Sequence, residues 1–145
     1  MRTIKGLGQE GGRRKAIRLL QIGPRCDVLI ELAAWFKSSP REIKRVLKKL
    51  QMIAEYDDLP RLSTIKRVGG TGRIIQISGG NGRLYCFLDR NGMTTVICVN
   101  TFWIGGGDKL KRQSAEIEEA ERRMLLWQSA RIVSGIVGAR IARAG

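Results

Sequence analysis

Residues 82–102 read GRLYCFLDRNGMTTVICVNTF, two runs rich in β-branched and aromatic residues that are joined through Asn91-Gly92. Such runs favour strands, and Asn-Gly adopts the positive φ angles that a tight hairpin turn needs. The stretch therefore predicts an antiparallel hairpin formed by strands Arg83–Leu88 and Met93–Asn100.

Two further strands are expected just before this hairpin. Thr64–Val68 and Arg73–Ile77 are rich in β-branched residues, and glycine-rich segments at 69–72 and 78–82 separate the runs. Neither segment ends in the Gly-Lys-Ser/Thr of a phosphate-binding loop, and neither spells GxGxxG before a long helix, so turns explain the glycines. Together the runs predict three or four antiparallel strands in a meander.

A helical hairpin is expected over residues 27–55. Asp27 can cap its first helix, and Ser39 followed by Pro40 is a typical start signal for the second. The apolar positions predicted to be buried on the first helix are Val28, Leu29, Leu32, Ala33 and Phe36. The second helix has one apolar face, formed by Ile43, Val46, Leu47, Leu50, Ile53 and Ala54, and one basic face, formed by Lys44, Arg45, Lys48 and Lys49.

A closing helix is expected over residues 115–127, with Ser114 as its cap and acidic residues near its start. Its apolar stripe is Ile117, Ala120, Met124 and Trp127. We predict an α+β fold, in which an N-terminal helical hairpin packs on a small antiparallel β-meander that is followed by a C-terminal helix. This domain would span 26–127, flanked by a basic Gly/Arg-rich arm at 1–25 and a basic extension at 128–145.

Composition narrows the function further. The chain has 27 Lys and Arg against 13 Asp and Glu, a formal net charge of +14, so nucleic acid or a ribonucleoprotein is the expected partner. It contains no histidine, which excludes a histidine-based triad or acid–base pair. Cys26, Cys86 and Cys98 are odd in number and lack CxxC spacing, so neither a metal site nor a disulfide framework is expected. Cys86 and Cys98 lie in apolar runs and should be buried.

The sequence also favours a cytoplasmic location. No apolar run approaches the roughly 20 residues that a membrane-spanning helix needs. The basic N-terminus lacks the apolar stretch of a secretory signal. We therefore expect no membrane partner. Because the sequence shows neither a metal-binding pattern nor a phosphate-binding loop, we also expect no cofactor.

The predicted order is two helices, a β-meander and a closing helix. Within it, three segments resemble the RelE/HigB family of type II toxins, particularly its phage-derived HigB-like branch. Residues 82–102 resemble the central hairpin of that family, whose apolar second strand ends in Phe. Residues 115–124, AEIEEAERRM, resemble its closing helix, with the form Glu-Ile-x-x-Ala-x-x-Arg. Residues 39–77 resemble its second helix and first strands. Together the likeness covers about residues 26–127.

The resemblance implies a ribosome-dependent mRNA endonuclease, the toxin half of a toxin–antitoxin pair. RelE-like toxins enter the ribosomal A site and cut mRNA without a metal. Lys, Arg and Tyr side chains activate the ribose 2′-OH, stabilise the phosphorane-like charge and protonate the leaving oxygen. The implied partners are mRNA, the ribosome and a cognate antitoxin protein.

Site residues follow from the same likeness. Arg83 matches the central-strand arginine, and Tyr85 lies two residues further on the same strand face. The family carries a Lys-Lys pair after the last strand, but here Phe102 is followed by Trp103-Ile104 and three glycines. The lysines come later and either reach back to the site or leave it incomplete. The implied catalytic residues are Arg83, Tyr85, Lys109 and Lys111, and the implied RNA-binding residues are Lys66, Arg67, Arg73, Trp103 and Arg112.

Two alternatives stay open. A non-catalytic protein of RelE-like fold would bind a host protein or nucleic acid as a regulator or inhibitor, and the displaced lysine pair and the basic extensions favour it. A structural RNA-binding protein of a ribonucleoprotein would also have basic, Gly-rich ends. A neighbouring antitoxin gene would favour the toxin over both.

Overall fold

The computed structural model describes residues 2–3, 15–22, 24, 26–90, 94–103 and 109–134, with the backbone alone for 2–3, 109–111 and 131–134. Within these residues the chain is an α+β protein with three helices and six strands. In chain order the elements are β1 (Arg2–Thr3), β2 (Ala16–Leu19), α1 (Asp27–Ser38), α2 (Pro40–Glu55), β3 (Ile65–Val68), β4 (Ile74–Gly79), β5 (Gly82–Asp89), β6 (Thr95–Trp103) and α3 (Lys109–Ser134).

The strands form one mixed sheet in the order β1-β2-β6-β5-β4-β3. Strand β4 pairs antiparallel with β3, β5 with β4, and β6 with β5. These pairings confirm the predicted meander, with its strand boundaries shifted by a few residues. Strand β2 instead runs parallel to β6, with Ile17 opposite Val96 and Leu19 opposite Cys98. The Asn91-Gly92 turn lies outside the described residues.

The prediction that the helical hairpin is the N-terminal element of the fold was wrong, because two strands precede it. Residues 16–19 were assigned to a basic arm, since the charges around them dominate the sequence. The backbone there is extended, with Ile17 and Leu19 buried in the core and Arg18 exposed. Just before β2, Lys15 N donates to Ala54 O at 2.9 Å and fastens the strand to the end of α2.

Helices cover both faces of the sheet and create two core clusters. Helices α1 and α2 pack on one face, which we call the hairpin face, over Leu84, Cys86 and their neighbours. Helix α3 packs on the other, the α3 face, over Tyr85 and Phe87. Because alternate residues of a strand point to opposite faces, β5 supplies both clusters. Burial on both faces explains why β5 and β6 lack the apolar–polar alternation of a half-exposed sheet.

The helix signals were confirmed in part. Ser39 is the N-cap of α2 and Pro40 its first residue, as predicted. Helix α3 begins at Lys109 and not after Ser114, and it continues past residue 127 to Ser134. On α1 the buried residues are Val28, Leu32 and Trp35, whereas Leu29 and Phe36 are about half exposed. The stripe was assigned wrongly because α1 is apolar on several sides, so periodicity alone does not select one.

Other expectations concern the core and the turns. Cys86 and Cys98 are buried, as predicted, and Cys26 is buried as well. Gly69 and Gly80 take φ angles of 86° and 58° in the two glycine-rich turns, which suits glycine because it has no Cβ. No helix in the described part of the chain is long and apolar enough to cross a membrane.

The burial of β2 generates the first test. We expect Ile17→Ala to lower the free energy of unfolding by about 2–5 kcal/mol, because it leaves a cavity in the core. Arg18→Ala on the same strand removes an exposed side chain and should change it by less than about 0.5 kcal/mol. Urea unfolding followed by circular dichroism measures both. Equal stability of the two variants would mean that residues 16–19 do not belong to the core.

Candidate functional site

A row of polar side chains crosses the α3 face of the sheet. Lys66, Gln76, Tyr85 and Asn100 are register neighbours on β3, β4, β5 and β6, so their side chains share one face. Helix α3 closes over the middle of the row, where Gln113 Nε2 donates to Gln76 Oε1 at 2.9 Å. These contacts anchor the first turns of α3 on the sheet.

Tyr85, expected as a catalytic residue, lies in this row but is fully buried. Burial is the main cause that raises the pKa of its phenol; Arg83 lowers that pKa and Glu116 raises it. A phenol covered by a helix does not reach a phosphate or stack on a base while α3 stays in place. The sequence placed Tyr85 on a binding face, whereas the closing helix packs on the strand face that carries it and buries the side chain.

Arg83 occupies the next row towards the end of the sheet. It is half-buried, and its Nη1 donates to Gly80 O and Gly82 O, both at 2.9 Å. Its partner on β6 is Phe102, and the Arg112 guanidinium lies over the Phe102 ring at 5.6 Å from the centroid. Of the predicted residues, Arg112 thus lies over the Phe102 ring, and Arg83 is the register neighbour of Phe102 on β5.

The other predicted residues are scattered. Lys66 is exposed on the α3 face, whereas Arg67, opposite Ile75, is exposed on the hairpin face. Arg73 is exposed just before β4. Lys109 and Lys111 lie in the first turn of α3, but their side chains are outside the described residues.

A cleft of about 430 Å³ opens at the end of β6. Its walls come from α1, from the last residues of β6 and from the first turns of α3. Trp103, also a predicted RNA-binding residue, lies in this cleft and is 41% exposed. The lining residues on which the argument depends are Glu31, Trp35, Phe102, Trp103, Arg112 and Glu116.

The cleft exists because β2 is shorter than β6. The pairing between them ends at Cys98. Beyond it, side chains instead of a strand form hydrogen bonds with the backbone groups on this edge of β6. Arg123 Nη1 donates to Val99 O at 2.6 Å, and Glu31 Oε2 accepts from Thr101 N at 3.1 Å and from the Thr101 hydroxyl. Among the described residues no strand lies beside this edge of β6, and the space between α1 and α3 forms the cleft.

Arg123 is itself held in place by Glu119, which accepts from Arg123 Nε at 2.9 Å. Glu119 also accepts from Arg122 Nε at 2.9 Å. The hydrogen bonds from Arg122, followed by those from Arg123, lower the pKa of Glu119 to about 2. This carboxylate therefore stays ionised at neutral pH and fixes the guanidinium that caps the edge of β6.

Trp35 forms the inner wall of the cleft and was missed by the sequence analysis. It is only 5% exposed and meets Trp103 edge to face, with ring centroids 6.1 Å apart and an interplanar angle of 78°. Its indole lies against Gly82 so closely that a Cβ there would overlap the ring. Its Nε1 is buried and has no hydrogen-bond partner among the described residues.

Two carboxylates lie on opposite walls of the cleft, Glu31 on α1 and Glu116 on α3. Glu116 Oε2 accepts from Asn100 Nδ2 at 3.1 Å. Sequence reasoning missed both, since each stands among other charged residues on a helix without a motif. The cleft thus combines aromatic rings, two carboxylates and a cation.

No protein-family model matches the chain, and no curated protein matches its sequence. Among the described residues, no group of acidic and cysteine side chains is placed to hold a metal ion.

The close approach of Trp35 to Gly82 is testable. We expect Gly82→Ala to displace the indole, to lower the free energy of unfolding by about 1–3 kcal/mol and to change the near-ultraviolet circular dichroism of the tryptophans. Gly70→Ala is the matched control, because no atom lies within 4 Å of the added Cβ. An unchanged spectrum and equal stability for Gly82→Ala would show that Trp35 does not pack there.

Proposed function

We propose that this protein is an RNA-binding toxin of the RelE/HigB type that cuts mRNA on the ribosome, and that it contacts RNA at the end of β6. The observation that carries the proposal is the position of Arg112 over Phe102, with Arg83 as the register neighbour of Phe102, beside an aromatic cleft. We call these three residues with Trp103 the β6-end surface. Cations next to an exposed aromatic ring, here that of Trp103, are the combination that binds single-stranded RNA.

The order of elements supports this class of protein. From residue 27 onward the chain runs through two helices, four antiparallel strands and a helix, the order on which the resemblance to the toxins depends. The central hairpin lies at 82–102 and supplies Arg83 and Phe102 to the β6-end surface. A charge of +14 favours binding to a polyanion such as the ribosome with its mRNA.

In this proposal the chemistry is mainly electrostatic. Attack of a ribose 2′-OH on the adjacent phosphate builds negative charge on the phosphorane-like transition state, and guanidinium groups stabilise that charge. Arg83 is oriented in advance by the carbonyls of Gly80 and Gly82. Glu116, one helical turn after Arg112 in the cleft, is the acceptor for the proton of the attacking 2′-OH. The bond to the 5′ oxygen breaks, which leaves a 2′,3′-cyclic phosphate, and the departing 5′ oxygen takes a proton from water.

One observation favours a second candidate, a non-catalytic RNA- or protein-binding regulator with the same fold. Tyr85, which the resemblance assigns to catalysis, is buried under α3. If the cations alone do not support cleavage, the β6-end surface binds its partner without cutting it. For this second candidate, the expected partner is a host protein or nucleic acid and not an antitoxin.

Translation in a reconstituted cell-free system, with primer extension on the mRNA, separates the two candidates. We expect cuts that require ribosomes and that fall about 100-fold or more in Arg83→Ala, a loss typical of a removed charge-stabilising donor. Tyr85→Phe should cut within about twofold of the wild type, because the buried phenol touches no RNA. Arg61→Ala, at an exposed arginine before β3 that has no assigned role, is the matched control for loss of one arginine.

Circular dichroism of Arg83→Ala shows whether the variant is folded. Absence of cuts by the wild type at amounts above the ribosome concentration, with RNA binding intact, would reject the endonuclease and support the regulator. Equal cutting by Arg83→Ala and the wild type would remove Arg83 from the site.

A further inference from the structure

We propose that the solvent side of α1 is a docking surface for an amphipathic helix of an acidic partner protein. This inference goes beyond the proposed function and does not depend on RNA binding, because none of the residues that carry it lines the cleft at the end of β6. The reasons are an exposed apolar stripe on α1, the kind of segment that can cover a helix, and the basic residues that border the stripe.

Helix α1 is apolar on its solvent side as well as on the side that packs in the core. Four residues form this solvent side, which we call the α1 stripe: Leu29, Ile30, Ala33 and Phe36. Leu29, Ala33 and Phe36 follow one line along the helix, and Ile30 lies beside it. The exposed fractions of Leu29, Ile30 and Phe36 are 40%, 48% and 49%. Single exposed apolar residues are common on protein surfaces, but a contiguous group of them marks a binding surface.

The segment that suits the α1 stripe is another helix. Because α1 forms its backbone hydrogen bonds within the helix, the stripe offers side chains only. An extended segment lying on it would bury backbone N–H and C=O groups without partners, which costs free energy. An amphipathic helix satisfies its own backbone groups and packs apolar residues spaced three or four positions apart against the stripe. From Leu29 to Phe36 the stripe is about 10 Å long, so two to three turns of a partner helix cover it.

Basic residues border the α1 stripe where α1 ends and α2 begins. Four of them, all exposed, form what we call the basic rim: Lys37, Arg41, Lys44 and Arg45. Only Ser39 separates the two helices, so the rim begins directly beside Phe36. Glu42 is the only acidic residue between positions 37 and 48, and its side chain lies against Gly80. The basic rim therefore favours acidic side chains next to the apolar residues of the partner helix.

Three other occupants of this surface fit less well. A second copy of the chain would bring the same basic rim and the same net charge of +14, so the two copies would repel each other. A nucleic acid would pair with the rim but would leave the large apolar side chains of the stripe without apolar partners. A helix that binds a membrane surface inserts its main apolar face, whereas the main apolar face of α1 packs in the core.

Fluorescence anisotropy with two labelled synthetic peptides tests the docking surface on the full chain. Each peptide has about 20 residues of leucine, alanine and glutamate, long enough to form a helix. In the first peptide the leucines line one face of the helix and the glutamates flank them. The second peptide has the same composition in an order that gives no apolar face. We expect the first peptide to bind roughly tenfold more tightly, because only it brings an apolar face to the α1 stripe.

Variants of the chain locate the peptide on α1. Phe36→Ser should weaken binding of the first peptide roughly tenfold, because it removes the largest apolar side chain of the stripe. Leu125→Ser, at an exposed leucine of α3, is the matched control and should change binding by less than about twofold. Circular dichroism shows whether each variant is folded.

Charge variants test the basic rim in the same assay. Lys37→Glu should weaken binding of the first peptide roughly fivefold at low salt, and added salt should reduce this effect. Arg18→Glu is the matched control for the change of charge. Its neighbours Ile17 and Leu19 point to the hairpin face, so Arg18 lies on the opposite face of the sheet. It should change binding by less than about twofold.

Several results would overturn the docking surface. Equal binding of the two peptides would mean attraction by charge alone, and binding of the first peptide that is unchanged in Phe36→Ser would place it elsewhere. Binding of the first peptide weaker than about 1 mM would also reject the surface. If Phe36→Ser instead releases the chain from vesicles of anionic phospholipid, or converts a dimer into a monomer, the stripe belongs to a membrane or to a second copy. The mRNA cutting assay is separate, so rejection of this surface leaves the proposed function in place.

Discussion

Strand β6 pairs with β5 along its length but with β2 only as far as Cys98, and the candidate site depends on this difference. The parallel pairing places β6 inside the sheet, where helices cover both of its faces. Beyond Cys98 the strand continues to Trp103 without that neighbour, and α1 and α3 form walls on either side. The same strand thus fixes the core at one end and opens a cleft at the other.

Two side chains pair with the backbone groups of β6 that lie beyond the end of β2. Backbone groups at a sheet edge need partners, and Arg123 and Glu31 supply them at Val99 and Thr101. Glu119 in turn holds Arg123. These charged groups protect the edge from pairing with another chain, and they hold α3 and α1 at the spacing that forms the cleft. Stability and site geometry therefore share the same contacts.

Local signals were sufficient for much of the fold and for little of the site. The strands of the hairpin at 82–102 follow from two runs of β-branched and aromatic residues, and the start of α2 follows from Ser39-Pro40, although the Ser39 side chain makes no capping hydrogen bond. Strand β2 was missed because its pairing partner, β6, is distant in sequence. Its four residues are also too few to give a clear strand pattern among the charged residues on either side. Tyr85 was placed on a binding face because strand periodicity does not tell which face a later helix covers. Trp35 acquires its role only from contacts with Gly82 and Trp103, which no local pattern predicts.

Positive charge by itself does not locate the partner, since α2 also presents exposed Lys44, Arg45 and Lys48 to solvent. The exposed ring of Trp103 and the adjoining cleft distinguish the end of β6 from that basic helix. Ultraviolet crosslinking of the full chain to uridine-rich RNA, followed by peptide mass spectrometry, tests the choice directly. The account predicts crosslinks within residues 99–103, at the exposed Trp103. Crosslinks confined to residues 40–55 would place the RNA on α2 and contradict it.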